Sequence, residues 1–427
     1  MFEIKGIGKE STNRRINFDY QYSRDISKYF SQNKFYCEYD IDLGIVPDEI
    51  LSIPLLANVL PISWFAGFDV KVDKLDKVFY DQIKKLKSQF AEYHPKIKFQ
   101  DSNLIVNKII GSNSKANDKT AMLFSGGVDA YASLLRHYKE VPDLITIKGA
   151  DIPINDEIQW KGVLEYNTTT EVIQSNTKYY IESNIRDFIT YEVDRLLPDL
   201  GWWGKIQHGL ALTSLTAPLS YLFNYRTIYI ASSYTRKENY DFIVWGSMPE
   251  IDNLMKFGTT NVQHDAAELT RQEKIDFIVK WSSLNNRYFP LRVCYSDLKR
   301  DLNCSVCEKC LRTIYAIFIN NENPNNFGFK VDFEVFEMLK KTVNNGYSND
   351  GNKLFWNEIF LKSITSKRYN DDKEQWLKEY ADIDRLLKEQ LSKPLKERTL
   401  LQKQKLHLIA KNPKLFKQYL KIKRKFL

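Results

Sequence analysis

Short apolar runs separated by amphipathic stretches fill the middle of this chain. Residues 120–124 form an apolar segment of strand length, and residues 130–138 follow at helical spacing with Leu134 and Leu135 on the inward face. Two further runs, 144–147 and Thr227–Ala231, have the continuous apolar character of buried strands, and the apolar run 210–222 between them is long enough for a helix. Strands alternating with helices predict an α/β fold built on a doubly wound parallel sheet. Upstream, residues 35–43 alternate enough for a strand. Ile53–Ala66 is apolar but interrupted by Pro54 and Pro61, and residues 71–93 carry charged residues between apolar ones at helical spacing. Near the end, residues 372–391 predict a helix. The polar loop 111–118 and the Asn-rich turn 320–326 divide the chain into three parts. These are an N-terminal α+β accessory domain (1–112), an α/β core (113–320) and a helical C-terminal extension (321–427).

Charge changes this picture only at one end. The 427 residues carry a formal net charge of +8, yet residues 391–427 hold twelve Lys/Arg and one acid, Glu397, for a net of +11. The remainder of the chain is therefore about −3. Within the tail, Leu415, Phe416, Tyr419, Leu420 and Leu427 recur at near-helical spacing between lysines. Such a segment can meet nucleic acid, an acidic partner or an anionic surface. The alternative is a terminal helix packed on its own domain with its lysines in water. At 43% hydrophobic and 14% aromatic residues the chain can bury a large core. No run reaches eighteen apolar residues, and Met1-Phe2-Glu3-Ile4-Lys5 lacks a signal-peptide core, so a cytoplasmic protein is expected.

Two motifs carry chemistry. Cys294, Cys304, Cys307 and Cys310 lie in one stretch, two C-x2-C steps sharing a middle cysteine with a fourth thiol ten residues upstream. That spacing suits a closed tetrahedral Zn²⁺ site, which is structural because four thiolates leave no open position. Free buried thiols or a disulfide pair are the alternatives. Clustered thiols also favour a reducing compartment, and the remaining Cys37 is expected to be an inert core residue. The second motif is Phe124-Ser125-Gly126-Gly127-Val128-Asp129, between an expected strand and an expected helix. Glycines let backbone approach a phosphate, amide N–H groups point at it and the helix dipole adds positive charge. Asp129 can hold Mg²⁺ there. The motif lacks the G-K-[ST] of a Walker A loop and the G-x-G-x-x-G of a dinucleotide fold. A purely structural turn is the alternative.

Together the motifs resemble the PP-loop ATP pyrophosphatases, and within them the 7-cyano-7-deazaguanine synthases (QueC-like enzymes). The family's S-G-G-x-D-S loop is matched by Ser125 to Ala130, and its GRN-type helix start by Trp203-Gly204-Lys205-Ile206-Gln207. Its strand and substrate loop resemble Ile228 to Tyr234 followed by Trp245 to Asp252. Its L-T-K-x-E-I helix start is matched by Leu269 to Ile275, and its cysteine cluster by Cys294-Tyr295, Cys304, Cys307 and Cys310, with Arg312 one position displaced. The resemblance covers about residues 118–320 with the motifs in order. Two departures stand out: the last loop serine is Ala130, and the GRN arginine is at best Lys205, a point charge rather than a planar fork.

The resemblance implies an ATP-dependent, AMP- and pyrophosphate-forming carbon–nitrogen ligase that makes an amide or nitrile on a 7-deazapurine carboxylate using ammonia. Ser125, Asp129 and Lys205 are the expected catalytic residues. Phe124 through Asp129 (with Ser125, Gly126, Gly127 and Val128), together with Lys148 and Gly149, are expected to hold ATP and Mg²⁺. Tyr234, Trp245, Ser247 and Asp252 are expected at the base, while His208 and the His264-Asp265 pair are weaker candidates. A homo-oligomer is the expected assembly. A repurposed relative acting on a protein, a sugar acid or a nucleic acid, for instance in antiviral defence, is the alternative, and a non-catalytic nucleotide-binding module is a third.

Overall fold

The computed structural model describes residues 1–111, 115–198, 201–237, 244–294, 302–347 and 349–395. Tyr295 and residues 396–427, which include most of the basic tail, lie outside them. Among the described residues no helix is long and apolar enough to cross a membrane.

Among the described residues the fold is α/β around one large, mostly parallel sheet of eleven strands. In chain order these are β1 (Phe2–Lys9), β2 (Arg15–Tyr22), β3 (Tyr36–Tyr39), β4 (Val70–Asp76), β5 (Leu104–Ile110), β6 (Thr120–Leu123), β7 (Asp143–Lys148), β8 (Lys178–Ser183), β9 (Thr227–Ala231), β10 (Lys256–Phe257) and β11 (Thr260–Asp265). Their spatial order is β10-β11-β9-β6-β7-β8-β3-β2-β1-β4-β5. The segment from β11 to β8 is parallel throughout, whereas β8, β3, β2 and β1 pair antiparallel. Alternate residues of the central strands face two separate hydrophobic clusters. Ala121, Ile145, Ile147, Ile228 and Ile230 join one, and Met122, Leu144 and Tyr229 the other. Helices cover both faces accordingly: His208–Ser214 and Ala217–Phe223 on the first, Val128–Arg136, Arg271–Asn285 and Glu308–Phe318 on the second.

The expected boundary at residue 112 falls in the connection between β5 and β6, two strands of the same sheet. Residues 1–111 thus continue the core sheet rather than sitting beside it, through the β3–β8 pairing of Cys37 with Ser183 and Tyr39 with Ile181. Pro54 and Pro61 do not break Ile53–Ala66, which is one helix with every residue from Ile53 to Phe65 buried. Pro54 occupies the first turn, where no backbone donor is lost, and burial on all sides outweighs the single hydrogen bond that Pro61 forgoes. Segment 71–93 begins as β4 and turns helical only at Lys77. Val70 and Val72, two apart and both buried, decide for strand, and Asp76 then caps the Lys77–Tyr93 helix by accepting from Phe79 N at 3.0 Å.

Asp76 has a second bond that fixes the shape of the sheet. Its carboxylate also accepts from Gly258 N, 3.1 Å away in the β10–β11 turn. β4 and β10 lie nine strands apart, about 43 Å across a flat sheet at ~4.8 Å per strand. The sheet must therefore curl until its ends meet. What it curls around is the Ile53–Ala66 helix, pinned to the core by Gln207 Nε2 donating to Asn58 Oδ1 at 2.9 Å and to the Ile185 carbonyl at 3.0 Å. C-terminal helices Val335–Asn344, Asp350–Ser363 and Glu374–Ser392 pack into the second cluster through Phe336, Trp356 and Tyr380.

Each fully buried Leu or Ile of the central helix contributes roughly 1.5–3 kcal/mol, so a chain lacking residues 1–111 has lost half of one core. Such a truncation is expected to be molten, with dye-binding apolar surface and no sharp thermal transition. A monomeric fragment that melts cooperatively would show that the two halves fold independently. Stability should also depend on His137, which donates or accepts at Glu140 (2.8 Å) and Asp265 (3.2 Å) and stacks on Tyr229. Burial pushes its pKa down, but the two carboxylates outweigh this and hold it above the usual 6.5. A raised folded-state pKa gives stability that is complete below the unfolded pKa and fades as pH rises through the folded one. Wild-type Tm should therefore fall from pH 6 to pH 8 by more than that of His137→Gln, read by calorimetry at both pH values.

Candidate ligand-binding cavity and metal site

In an open α/β sheet the carboxyl ends of the strands diverge where chain order reverses, and a crevice opens there. Here the chain enters the parallel segment at β6, moves to β7 and β8, then crosses back to β9 on the other side. A cavity of about 470 Å³ occupies that place. Leu123 to Ser125 after β6, Ile145 to Ile147 of β7 and Ile230 to Tyr234 around the end of β9 contribute to its wall.

The S-G-G-V-D loop lies at the cavity. Gly126 adopts φ +75°, a left-handed conformation, and a Cβ there would come within 2.8 Å of the Tyr166 ring. Gly127 N points at Ser125 Oγ (3.4 Å) and caps the Val128–Arg136 helix, so the loop runs into a helix N-terminus. Arg292 ties the loop down, its backbone N–H donating to Gly126 O at 2.7 Å and its guanidinium to Ser125 O at 3.1 Å. Asp129 points into a cationic setting: Arg271 Nη1 donates at 2.6 Å and Lys274 Nζ lies 3.5 Å away. Lys274 is fully buried, with Nζ also donating to the Ser232 carbonyl at 2.5 Å. Burial lowers its pKa, and Asp129 pushes the other way. Arg271 is placed by the first turn of its helix, which carries a capping box between Thr270 and Glu273.

The structure gathers part of the remaining predicted set. Phe124, Ser125, Gly127, Val128, Asp129, Tyr234 and Trp245 line the cavity. Lys148 and Gly149 do not. Lys148 Nζ is committed to Glu157 (2.5 Å) and Glu182 (3.0 Å), and Gly149 at φ +101° is packed so closely that a Cβ would overlap the Ser183 carbonyl. Lys205 belongs to a π-helical turn, Trp203–Gln207, and is not among the lining residues. The cations that line the cavity are Arg186, Arg271, Arg292 and Lys309. Ser247 and Asp252 stand behind the wall, where Ser247 Oγ donates to Asp252 Oδ2 at 2.6 Å and His264 Nδ1 meets the same oxygen at 2.7 Å. That oxygen is occupied by the fold, while Asp252 Oδ1 is buried without a hydrogen-bond partner, and the exposed carboxylate on the cavity is Asp151. His264 and Asp265 face different partners, as adjacent residues on a strand must.

Four cavity residues come from segments with no chemical pattern of their own in the sequence. Asn352 and Phe355 of the Asp350–Ser363 helix close one side, with Phe355 stacked on Tyr234 (5.5 Å, 8°) and the Arg312 guanidinium 4.5 Å from its ring. Gly351 permits this approach, since a Cβ would lie 2.7 Å from Tyr234 Oη. Arg186 and Asp151 follow β8 and β7. Lys309 did have a signal, being the lysine inside C-x2-C. Burial, then the neighbouring Arg271 and Arg312, lower its pKa to about 8.

The four clustered thiols converge. Their sulfurs all lie within 4.8 Å of one another, with Cys294–Cys307 at 3.8 Å and Cys304–Cys310 at 3.9 Å. A ZnS4 tetrahedron with Zn–S near 2.3 Å has edges of about 3.8 Å, whereas a disulfide needs about 2.05 Å. The set can therefore hold a metal ion such as zinc. Asn303 organises the approach, its Oδ1 accepting from Val293 N and Cys294 N and its Nδ2 donating to Leu291 O. Cys307 caps the Glu308–Phe318 helix, which carries Lys309 to the cavity, and Arg292 two residues before Cys294 holds the loop at Ser125. A metal held here would tie together the two segments that carry Arg292 and Lys309 to the cavity.

Purified protein should contain close to one zinc per chain by mass spectrometry of the metal. Cys304→Ser should lose it together with several degrees of Tm, while Cys37→Ser, buried elsewhere in the core, should retain it. Retention of full metal by Cys304→Ser would argue against the four-thiolate site. No known family, no curated protein and no solved structure matches the chain.

Proposed function

We propose that the protein is an ATP-dependent ligase of the PP-loop type, resembling the 7-cyano-7-deazaguanine synthases, which activates a carboxylate on a 7-deazapurine-like substrate for attack by ammonia. The observation that carries this reading is the S-G-G-V-D loop at a cavity of about 470 Å³ on the switch point of the sheet. Backbone N–H groups at a helix N-terminus, flanked by Arg271, Arg292 and Lys309, suit a polyphosphate, and the Asp129 carboxylate suits Mg²⁺. ATP supplies the leaving group: a carboxylate oxygen bonds to the α-phosphorus, pyrophosphate departs, and ammonia then displaces AMP from the acyl carbon.

The residues of this chain position and neutralise. Ser125 Oγ and the loop amides face the departing pyrophosphate, and Arg271 and Lys309 offset the charge that develops on it. Arg271, bonded to Asp129 here, would be released to meet phosphate if Asp129 held the metal. Ala130 is buried at the cavity wall, so one hydroxyl of the family loop is missing there. Since Lys205 is off the cavity, the role expected of the GRN arginine passes to Arg186 or Arg271. The wall made by Asn352 and Phe355 lies beyond the region of resemblance and favours a second reading, in which the same activation serves a different acceptor.

With 7-carboxy-7-deazaguanine, ammonium and Mg·ATP, AMP and pyrophosphate should form with the mass change of an amide or nitrile. Asp129→Ala should lower the rate about 10²-fold or more. AMP formation without base conversion would move the assignment to another acceptor. No AMP formation with any carboxylic acid, despite ATP binding, would leave only a nucleotide-binding module.

A further inference from the structure

The two edges of the sheet are unlike. At one end β10 is only two residues long, so it offers little to a passing strand. At the other end β5 runs for seven residues, and among the described residues no strand pairs with its outer side. Edge strands are commonly protected by shortness, a bulge, proline or charge. β5 has no proline, a single charged residue (Lys108) and no register shift against β4. It also exposes two large apolar side chains, Ile105 at 40% and Ile109 at 44%. An edge of this kind is built to be covered.

The strand's own pattern identifies what covers it. Asn107 is the middle residue of Leu104–Ile110, with an isoleucine two positions to either side. Three positions to either side stand Leu104 and Ile110, again both apolar. A two-fold axis at Asn107 therefore sets Ile105 opposite Ile109 of a second copy, Leu104 opposite Ile110 and Val106 opposite Lys108. The exposed isoleucines become cross-strand apolar pairs, and no like charges stand directly opposite. Backbone direction agrees with this register. Val70 N donates to the Asn103 carbonyl at 2.9 Å, so the odd-numbered residues turn their backbone groups to β4. Leu104, Val106, Lys108 and Ile110 turn theirs outward, and the two-fold axis pairs these residues only with one another. A contact between identical copies needs a patch complementary to itself, whereas an unrelated partner would need no such symmetry.

We propose that β5 is a dimerisation edge, which pairs antiparallel with β5 of a second copy about a two-fold axis at Asn107 and joins the two sheets into one. Asn107 meets its mate as a non-hydrogen-bonded pair, and its Nδ2 is already held by Asp73 on the neighbouring strand at 3.0 Å. The edge lies within residues 1–111, outside the region of resemblance, and is independent of the ligase reading.

Sedimentation equilibrium of the full-length protein at micromolar concentration tests it, and twice the mass of one chain is expected. Ile105→Lys combined with Ile109→Lys sets lysines opposite each other across the axis. That variant should sediment as a single chain with an unchanged circular-dichroism spectrum. Ile105→Lys combined with Ile109→Glu sets opposite charges across the axis and should stay dimeric. Cross-linking checks the register without disturbing the apolar pairs. Asn107→Cys places two thiols on the axis, where Cα atoms of a non-hydrogen-bonded pair lie about 4.5 Å apart, within disulfide reach. It should form a covalent dimer on mild oxidation, while the wild type with its own five cysteines should not. Ile105→Cys should not link to itself, because its mate lies four residues along the strand, about 14 Å away. Mixed with Ile109→Cys, it should link. A wild type that sediments as one chain, a dimer untouched by the two lysines, or self-linking of Ile105→Cys as fast as that of Asn107→Cys would each overturn the proposal.

Discussion

A helix without a polar face has to be enclosed, and Ile53–Ala66 is such a helix, buried from Ile53 to Phe65. A flat sheet covers one side of a cylinder. Enclosing the rest requires either more helices or a sheet that bends round, and this protein uses both. The right-handed twist of successive strands already inclines a wide sheet to coil, and the Asp76–Gly258 hydrogen bond closes the curve. Positions of the strand ends, and hence of the cavity at β6, β7 and β9, follow from that enclosure. The N-terminal strands are part of the wall that keeps the central helix dry.

The cavity and the cysteine cluster are joined by chain rather than by direct contact. One residue separates Arg292, which grips the loop at Ser125 and Gly126, from Cys294. A single residue separates Cys307 from Lys309. Closing four thiolates on one ion fixes the Cys294 segment and the start of the Glu308–Phe318 helix together, and both carry cations to the same space. A metal with no open coordination position can in this way govern a site that it does not touch.

How much was legible in the sequence depended on how local each signal was. The cysteines and the Ser125–Asp129 loop are patterns of spacing, complete within a few residues, and the structure puts the sulfurs together and the loop at the crevice. Tyr234 and Trp245 reach the cavity as well. Lys148 lies off the cavity, paired with Glu157 and Glu182, and Asp252 Oδ2 meets His264 and Ser247 behind the wall. No local pattern announces an ion pair between separate elements. β2 could have been read: Ile16, Phe18 and Tyr20 alternate with exposed Asn17, Asp19 and Gln21. Asn352 and Phe355 could not, because a helix of ordinary amphipathic sequence gives no sign of which cavity it borders.

The closure of the sheet also orders events in time. Strands that flank the Ile53–Ala66 helix are spread from β1 near residue 2 to β11 near residue 265, so the first core cannot be completed until more than half the chain exists. A nascent chain emerging from a ribosome presents this mostly apolar helix well before β9 and β11 arrive to cover it. Contacts of such long sequence separation fold slowly and leave apolar surface open to aggregation meanwhile. Production of this protein therefore depends on how long that helix stays unclaimed, and on slow synthesis or chaperones to shield it, as much as on the stability of the finished fold.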